Sequence, residues 1–355
     1  MKCTWINLIA MSLVLLSMVV VAHADQTRAL TVMVQLRDPD GGPVAGCEVN
    51  IRSSLDPMEQ DEYAETDAAG VATATLVVND NESLVLVGFS PGGAAGVSHG
   101  VISARRERFW ELLSQYALPG LTQYPIAQGQ TELNITINLK PGITVQGRAV
   151  DSAEQAIDRV GIFARNHPWW GKQLGDGMFE IIGIEKGAAA EIFVMSGVVT
   201  LPIRLDAQQT AADVNLGDVQ VPPKEGDAVA RITIDHEGWR PVFLEATMQG
   251  VSLISEDGQR IYSFMANQQG QALTTYMTGS RLLPLPPGTY YLVPGGTFTP
   301  NRPLHLAALD LVRSGQAANV QGWPKLVAVS GQNDEITINA AAVDQVIMQA
   351  AGKEK

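Results

Sequence analysis

The sequence predicts an all-β fold built from tandem β-sandwich domains, the first of which carries one short helical insertion. Short runs alternate leucine, isoleucine or valine with other residues, which is typical of strands that bury one face. Acidic turns rich in glycine and proline join these runs. The combination of strand, acidic turn and strand recurs along the 355 residues, which indicates duplication of a whole domain.

The first copy begins with a predicted strand at 30–36, where leucine and valine occupy every second position. A tight turn follows at 38–43, in which proline fixes φ and glycine supplies a positive φ. Alternation resumes in a second strand from Cys47 to Ile51. The two strands and their turn are predicted to form a hairpin-like unit.

Residues 90–130 interrupt this β pattern. Ser103 is a typical helix N-cap, and apolar residues at helical spacing follow it to about Leu118. Pro119 and Gly120 are expected to stop the helix. We therefore expect one helical insertion, packed on or beside the first sandwich.

The segment Leu139–Asn166 is the clearest second copy. One constant offset along the chain places Val32 on Val145 and Asp38 on Asp151. The acidic residue of the turn therefore recurs together with the apolar face of the strand, and we interpret the turn as part of the scaffold. A third, more divergent copy begins past residue 225, with one extra residue in its turn.

Cys47 is the only cysteine that remains if the first residues are removed as a signal. The same offset places it on Val160, an apolar core position. We therefore expect a buried structural thiol rather than a reactive or bridging one. The predicted organisation is as follows: signal peptide 1–24, first sandwich 28–140 with its insertion at about 90–130, second sandwich 141–222, third sandwich 226–340, and a partly helical or frayed tail at 341–355.

Three sequence features carry a resemblance to a known family: the G-x-x-V-D turn of Gly147–Asp151 with Ile157 after it, the Gly-then-Phe-x-Ile pattern of Gly177–Ile181, and LPPGTYYL at Leu285–Leu292. Together they resemble the carboxypeptidase regulatory-like domain family. The resemblance implies transthyretin-like, Ig-like sandwiches, which occur as tandem modules in exported bacterial proteins. It implies no peptidase chemistry, since these features specify turns and core faces.

The N-terminus is predicted to be a cleaved signal peptide. Lys2 gives a positive start, and the apolar run Leu8–Val21 is shorter than the roughly 20 residues of a membrane span. The small residues at Ala22 and Ala24 favour cleavage after Ala24. We therefore expect a periplasmic or secreted protein without membrane insertion after cleavage, with a retained N-terminal anchor as the alternative.

The formal net charge is −13. An acidic surface is repelled by phosphate backbones and by anionic lipid, so nucleic acid is a poor partner. The expected partner is a protein or a cell-envelope polysaccharide, and no cofactor is expected.

Metal sites are not predicted. None of the four histidines past residue 24 has a glutamate three residues on, as a zinc peptidase motif would require. The segment Asn79–Glu82 offers oxygen ligands suited to Ca²⁺, but it also fits a polar hairpin turn.

A serine hydrolase is one alternative function, because Gly96–Gly100 fits G-x-S-x-G with Ser98 at its centre. A nucleophile elbow needs a buried strand that runs straight into the serine, and here the loop 90–95 precedes it. The chain also lacks the alternating strand and helix order of an α/β hydrolase. We therefore predict that the protein is not an enzyme.

The segment His167–Gly171 is the candidate ligand site of the second copy. Trp169 and Trp170 at a loop tip could stack on a sugar ring, with His167 beside them, although one or both could instead close the sandwich core. The leading hypothesis is a non-catalytic binding or structural module that recognises its partner through loops and sheet edges. A carbohydrate-binding protein that uses the tryptophan pair is a further alternative.

Overall fold

The computed structural model describes residues 27–53, 61–79, 82–89, 109–120, 122–165, 167, 171–222, 228–235, 250–266, 272–273, 283–296, 298 and 303–352. Two compact units divide the chain. The first runs to Leu112 and resumes at Leu118–Lys140, whereas the second comprises Leu113–Ala117 and the chain from Pro141 onward. Strands dominate both units, which confirms the predicted all-β fold.

The elements up to residue 138 are β1 (Thr27–Arg37), β2 (Glu48–Ser53), β3 (Asp61–Glu65), β4 (Val71–Asn79), β5 (Leu84–Phe89), α1 (109–115), β6 (Tyr116–Ala117), β7 (Thr122–Pro125) and β8 (Glu132–Asn138). The first unit is a sandwich of the sheets β4-β1-β8 and β3-β2-β5-β7. Its central strand β1 runs antiparallel to β4 and parallel to β8. Every second residue of β1 from Leu30 to Leu36 is fully buried, as the alternation predicts.

The acidic turns form as predicted in the first two copies. The Asp38 carboxylate accepts hydrogen bonds from the backbone N–H groups two and four residues further on, at 3.0 and 2.7 Å. Asp151 repeats both bonds, at 2.8 and 2.9 Å. These aspartates therefore close turns, and their recurrence needs no ligand to explain it. Residues 236–249, which hold the third turn, lie outside the described residues.

The elements from residue 140 are β9 (Lys140–Val150), β10 (Gly161–Ala164), β11 (Lys172–Gly175), β12 (Met178–Glu185), β13 (Ala190–Ser196), β14 (Val199–Leu205), β15 (Val214–Gln220), β16 (Ala228–Asp235), β17 (Gly250–Ser255), β18 (Ile261–Ala266), β19 (Ala272–Leu273), β20 (Leu283–Leu285), β21 (Gly288–Pro294), α2 (Pro303–Arg313), β22 (Lys325–Ala328), β23 (Asn333–Asn339) and α3 (Ala340–Ala350). Short 3₁₀ turns lie at Gln209–Ala211 and Gln316–Asn319.

One strand arrangement occurs three times along the chain. In each case the first strand of a copy lies between an antiparallel strand and a parallel closing strand. The three groups of strands are β4-β1-β8, β12-β9-β15 and β20-β16-β23, and the second lies in a five-stranded sheet that also holds β6 and β11. The sequence repeat is therefore also a repeat of topology.

The second and third copies share a sheet. Strand β14 pairs with β18 through Val199 with Tyr262 and Thr200 with Ile261. The pairing produces one eight-stranded sheet, in which β10-β13-β14-β18-β17-β21-β22 are neighbours and β19 adds to β18. A single hydrophobic core extends through both copies. The separate boundaries 141–222 and 226–340 stay a prediction.

Helices α2 and α3 pack into the core of the second unit, where they bury His305, Leu309, Val343 and Ile347 among others. Helix α3 begins where the sequence predicted a partly helical or frayed tail, and its N-cap Asn339 accepts a hydrogen bond from the Ala342 N–H at 2.9 Å. None of the helices in the described ranges is long and apolar enough for a membrane span. The predicted signal peptide lies outside those ranges.

Cys47 lies in the core of the first sandwich, as predicted, with 1% of its surface exposed. We expect its thiol not to react with a water-soluble disulfide reagent while the protein is folded, because the reagent cannot reach a buried thiol. Reaction should begin only in denaturant. Labelling of the folded and unfolded protein measures this, and equal rates in both states would contradict a core position.

Candidate functional site

The predicted tryptophan site can be located only by its two ends, because Trp169 and Trp170 lie outside the described residues. His167 is 7% exposed, and its backbone N–H donates a hydrogen bond to the Ala164 carbonyl at 3.1 Å. At the other end, a side chain on Gly171 would lie 2.4 Å from the Glu180 carbonyl oxygen. The residues that flank 168–170 on either side therefore both contact the second sandwich.

The serine of the predicted hydrolase motif, Ser98, also lies outside the described residues. Of the possible calcium ligands, Asp80 and Asn81 lie outside them, whereas Glu82 is 2% exposed and accepts a hydrogen bond from the Ser53 hydroxyl at 2.6 Å. Within the described part of the chain, no group of three or more histidine, cysteine, aspartate or glutamate side chains is placed to hold a metal ion.

A cleft opens at one end of the shared sheet, between the turn that joins β17 to β18 and the first residues of β21. It has a volume of about 350 Å³ and is called the turn cleft below. Its lining consists of Ser255, Glu256, Asp257, Arg260, Gly288, Thr289 and Tyr290. The Glu256 N–H donates to the Thr289 carbonyl at 3.0 Å, which fixes the two walls to each other.

Hydrogen bonds hold the polar side of the turn cleft in one geometry. The Ser255 hydroxyl donates a hydrogen bond to the Asp257 carboxylate and accepts one from the backbone N–H of Arg260 at 3.0 Å. Burial raises the pKa of Asp257, but the bonds from Ser255 and from the Gln259 N–H, with the Arg260 charge, lower that pKa below its usual value. Asp257 is therefore a carboxylate at neutral pH.

The floor of the turn cleft is aromatic. Tyr290 is 1% exposed, its hydroxyl donates to the Pro286 carbonyl at 2.7 Å, and its ring meets Tyr262 edge to face with centroids 5.7 Å apart. Burial, and next the neighbouring Tyr262, raises the pKa of Tyr290 to about 12, so its hydroxyl stays protonated at neutral pH. The polar lining residues, called the rim below, therefore accompany one buried ring that packs on a second ring.

Two catalytic roles do not fit Ser255 and Asp257 of the turn cleft. A nucleophilic hydroxyl needs an adjacent base, and the partner of Ser255 is a carboxylate with a lowered pKa. A glycosidase needs one carboxyl group with a raised pKa to act as the acid, and Asp257 is shifted the other way. Ser255–Gly258 (SEDG) between two apolar runs is a turn signal in the sequence, but it does not by itself predict a cleft.

A second concentration of charge joins the two copies in the second unit. It is called the Glu191 cluster and consists of Arg165, Glu191, Arg204, Asp310 and Arg313. Glu191 is 6% exposed and pairs with Arg313 of helix α2, with Arg165 at 3.4 Å and with Arg204 at 3.6 Å. Burial, and next the nearby Arg165, lowers the pKa of Arg313 to about 10.

Aromatic rings follow the same junction. Phe163 of β10 stacks on Phe193 of β13 with centroids 5.5 Å apart, and Phe193 packs on Phe298 at 5.3 Å. Phe298 in turn stacks on His305 of helix α2 at 5.2 Å, with the rings nearly parallel. Helix α2 is thus held to the second copy by rings and charges together, which gives the Glu191 cluster a structural role.

Comparisons with known proteins return matches to solved structures only. No family model matches the sequence, and no curated protein does. The TIE protein of Bacillus anthracis shares 12% identity over 88% of this chain at a TM-score of 0.23, and this chain spans half the length of that protein. BcpA, the major pilin subunit of Bacillus cereus, shares 8% identity over 88% of this chain and 99% of its own, at a TM-score of 0.22.

The minor pilin GBS52 of Streptococcus agalactiae shares 9% identity over 55% of this chain and 94% of its own, at a TM-score of 0.25. Identities of 8 to 12% are too low to transfer a function. The resemblance to the carboxypeptidase regulatory-like family likewise rests on the sequence features alone.

Proposed function

We propose that the protein is an exported, non-catalytic binding module of the cell envelope, which recognises a polysaccharide or a protein through its loops and sheet edges. The observation that carries this proposal is the turn cleft. Its hydrogen-bonding groups are held in place by the turn from Ser255 to Arg260, and the lowered pKa of Asp257 keeps that residue an acceptor of hydrogen bonds rather than an acid.

The position of the turn cleft on a sheet supports the same function. The turn cleft lies on β17, β18 and β21, which are neighbouring strands of the eight-stranded sheet. Sites built on such elements keep their geometry without a ligand, so less entropy is lost on binding.

The test is capture of envelope fractions by the mature protein, residues 25–355. Envelope extract is divided into three portions: one untreated, one digested with protease, and one oxidised with periodate, which cleaves vicinal diols. Loss of capture after periodate identifies a polysaccharide, and loss after protease identifies a protein. Capture from none of the portions would reject the proposal, as would labelling of Ser98 by a fluorophosphonate.

The loop 168–170 is the second candidate for the same binding function. The described residues on either side of it, His167 and Gly171, both contact the second sandwich, which favours this segment as the place to test. We expect the double change Trp169→Ala and Trp170→Ala to abolish capture of polysaccharide if this loop is the site. Circular dichroism is the control, since unfolding of the double variant would show that the tryptophans belong to the core.

A further inference from the structure

We propose that the turn cleft binds one neutral or amino-bearing hexose unit of a saccharide and rejects acidic sugars. The inference rests on the proposed binding function and assigns that function a site and a ligand class. Three properties of the turn cleft carry it: its size, its charge and the kind of hydrogen-bonding groups on its rim.

The size limits the ligand to a small molecule or to one end of a chain. Protein pockets for small ligands span roughly 300–1,000 Å³. The turn cleft, at about 350 Å³, lies at the lower end of this range. A long peptide or an extended polysaccharide would therefore contact it with one residue or one sugar only.

The charge of the rim excludes anions. Glu256, Asp257 and Arg260 line the turn cleft, so two acidic residues stand beside one basic residue. The Arg260 guanidinium is already drawn toward Asp257, with 4.0 Å between Nη2 and Oδ2. The lining therefore carries one more negative than positive charge, and an anionic ligand would also meet the chain's net charge of −13.

The hydrogen-bonding groups of the rim match the hydroxyls of a sugar. Carboxylate oxygens only accept hydrogen bonds, a guanidinium only donates them, and the Thr289 hydroxyl does both. A hexose hydroxyl can donate to Glu256 while its oxygen accepts from Arg260, which uses both capacities of one group. An amine on the sugar would add a charged partner for Glu256.

Two substitutions test the rim without disturbing the turn. Glu256→Gln removes the carboxylate charge, and the bond from Glu256 to Thr289 is made by its backbone. Thr289→Val removes a hydroxyl and keeps a β-branched side chain in β21. Glu335→Gln, at an exposed position of β23 outside the turn cleft, makes the same chemical change as Glu256→Gln and serves as the control.

The experiment is calorimetric titration of the mature protein with glucosamine, N-acetylglucosamine and glucuronic acid. We expect the first two to bind, and glucuronic acid to bind at least about tenfold more weakly or not at all. Each rim substitution should weaken binding about tenfold, the loss expected when a hydrogen bond to a charged or well-placed group disappears. The control variant should bind as the unchanged protein does.

Three results would overturn the inference: no binding of any of the three sugars, equal affinity for glucuronic acid, or unchanged affinity in both rim variants. Its failure is distinct from failure of the proposed function. If both rim variants still capture periodate-sensitive envelope material, the protein binds a saccharide elsewhere. If only protease-sensitive material is captured, a protein is the partner and the hexose assignment is wrong.

Discussion

Replacing Glu191 with alanine is expected to destabilise the second unit by about 3–5 kcal/mol, because a buried ion pair that loses one partner leaves its other charges uncompensated. Arg313 is only 7% exposed and faces Glu191 directly, and Arg165 is 26% exposed. Without the carboxylate, the Arg313 guanidinium would lose its ion-pair partner, whereas Arg165 would keep its pair with Asp310. The effect should appear in urea unfolding followed by circular dichroism, as a lower midpoint with a similar slope.

Asp310→Asn is the matched control for this prediction. Asp310 pairs with Arg165 at 2.6 Å, but it is 48% exposed. Solvent-exposed pairs contribute about 0–1 kcal/mol, so the control should change stability by no more than that. Equal losses of stability from the two substitutions would show that the burial of Glu191 is not the reason why the cluster stabilises the second unit.

Replacing Gly177 with alanine is expected to destabilise the second unit by about 2–4 kcal/mol. Gly177 has a φ of +73°, and an added Cβ would lie 2.5 Å from the Ala149 carbonyl oxygen. The expected cost has two parts. An L-residue in the left-handed region costs about 1–2 kcal/mol, and the close contact costs further free energy because β9 must be displaced. Gly70 occupies the equivalent place in the first copy, where an added Cβ would lie 2.7 Å from the Leu36 carbonyl oxygen.

Gly187→Ala separates these two costs. Gly187 has nearly the same φ, +72°, but an added Cβ there would meet nothing within 4 Å. This variant should lose only the backbone contribution of about 1–2 kcal/mol. Thermal unfolding of both variants measures the difference. Equal losses would show that the close approach to Ala149 has no energetic weight.

The repeated parts of the fold could be predicted from the sequence because their signals are local. Alternation along β1 and the aspartate turns at Asp38 and Asp151 depend on residues within a few positions of one another. The offset between copies also placed Cys47 in the core. Each of these inferences used spacing alone, and the structure agrees with it.

The junction could not be predicted because its contacts are distant in sequence. Nothing in the pattern of β14 or β18 states that Val199 will pair with Tyr262. Glu191 lies in β13, and the pattern of a strand can indicate only whether a side chain is buried or exposed. Its main partner, Arg313, lies on helix α2, far along the chain. That helix was missed, although Leu304, Leu311 and the residues between them follow a helical spacing.

The candidate site could likewise be predicted from the sequence only in part. The hairpin turn in the turn cleft is a local signal, but its pairing with Thr289 and Tyr290 depends on the order of β17, β18 and β21 in the sheet. Aromatic content alone did not distinguish Tyr290, on the floor of the cleft, from Tyr291, which packs on Trp323 in the core.

The second and third copies are expected to behave as one body through their shared sheet and the Glu191 cluster. Hydrogen–deuterium exchange of the mature protein in moderate denaturant tests it most directly. We predict that the amides of β13 and β14 exchange at the same opening free energy as those of β17 and β21, and that Glu191→Ala lowers both together. Exchange of β13 and β14 at a clearly different free energy, with only one set shifted by the substitution, would contradict a single body and favour two independent domains.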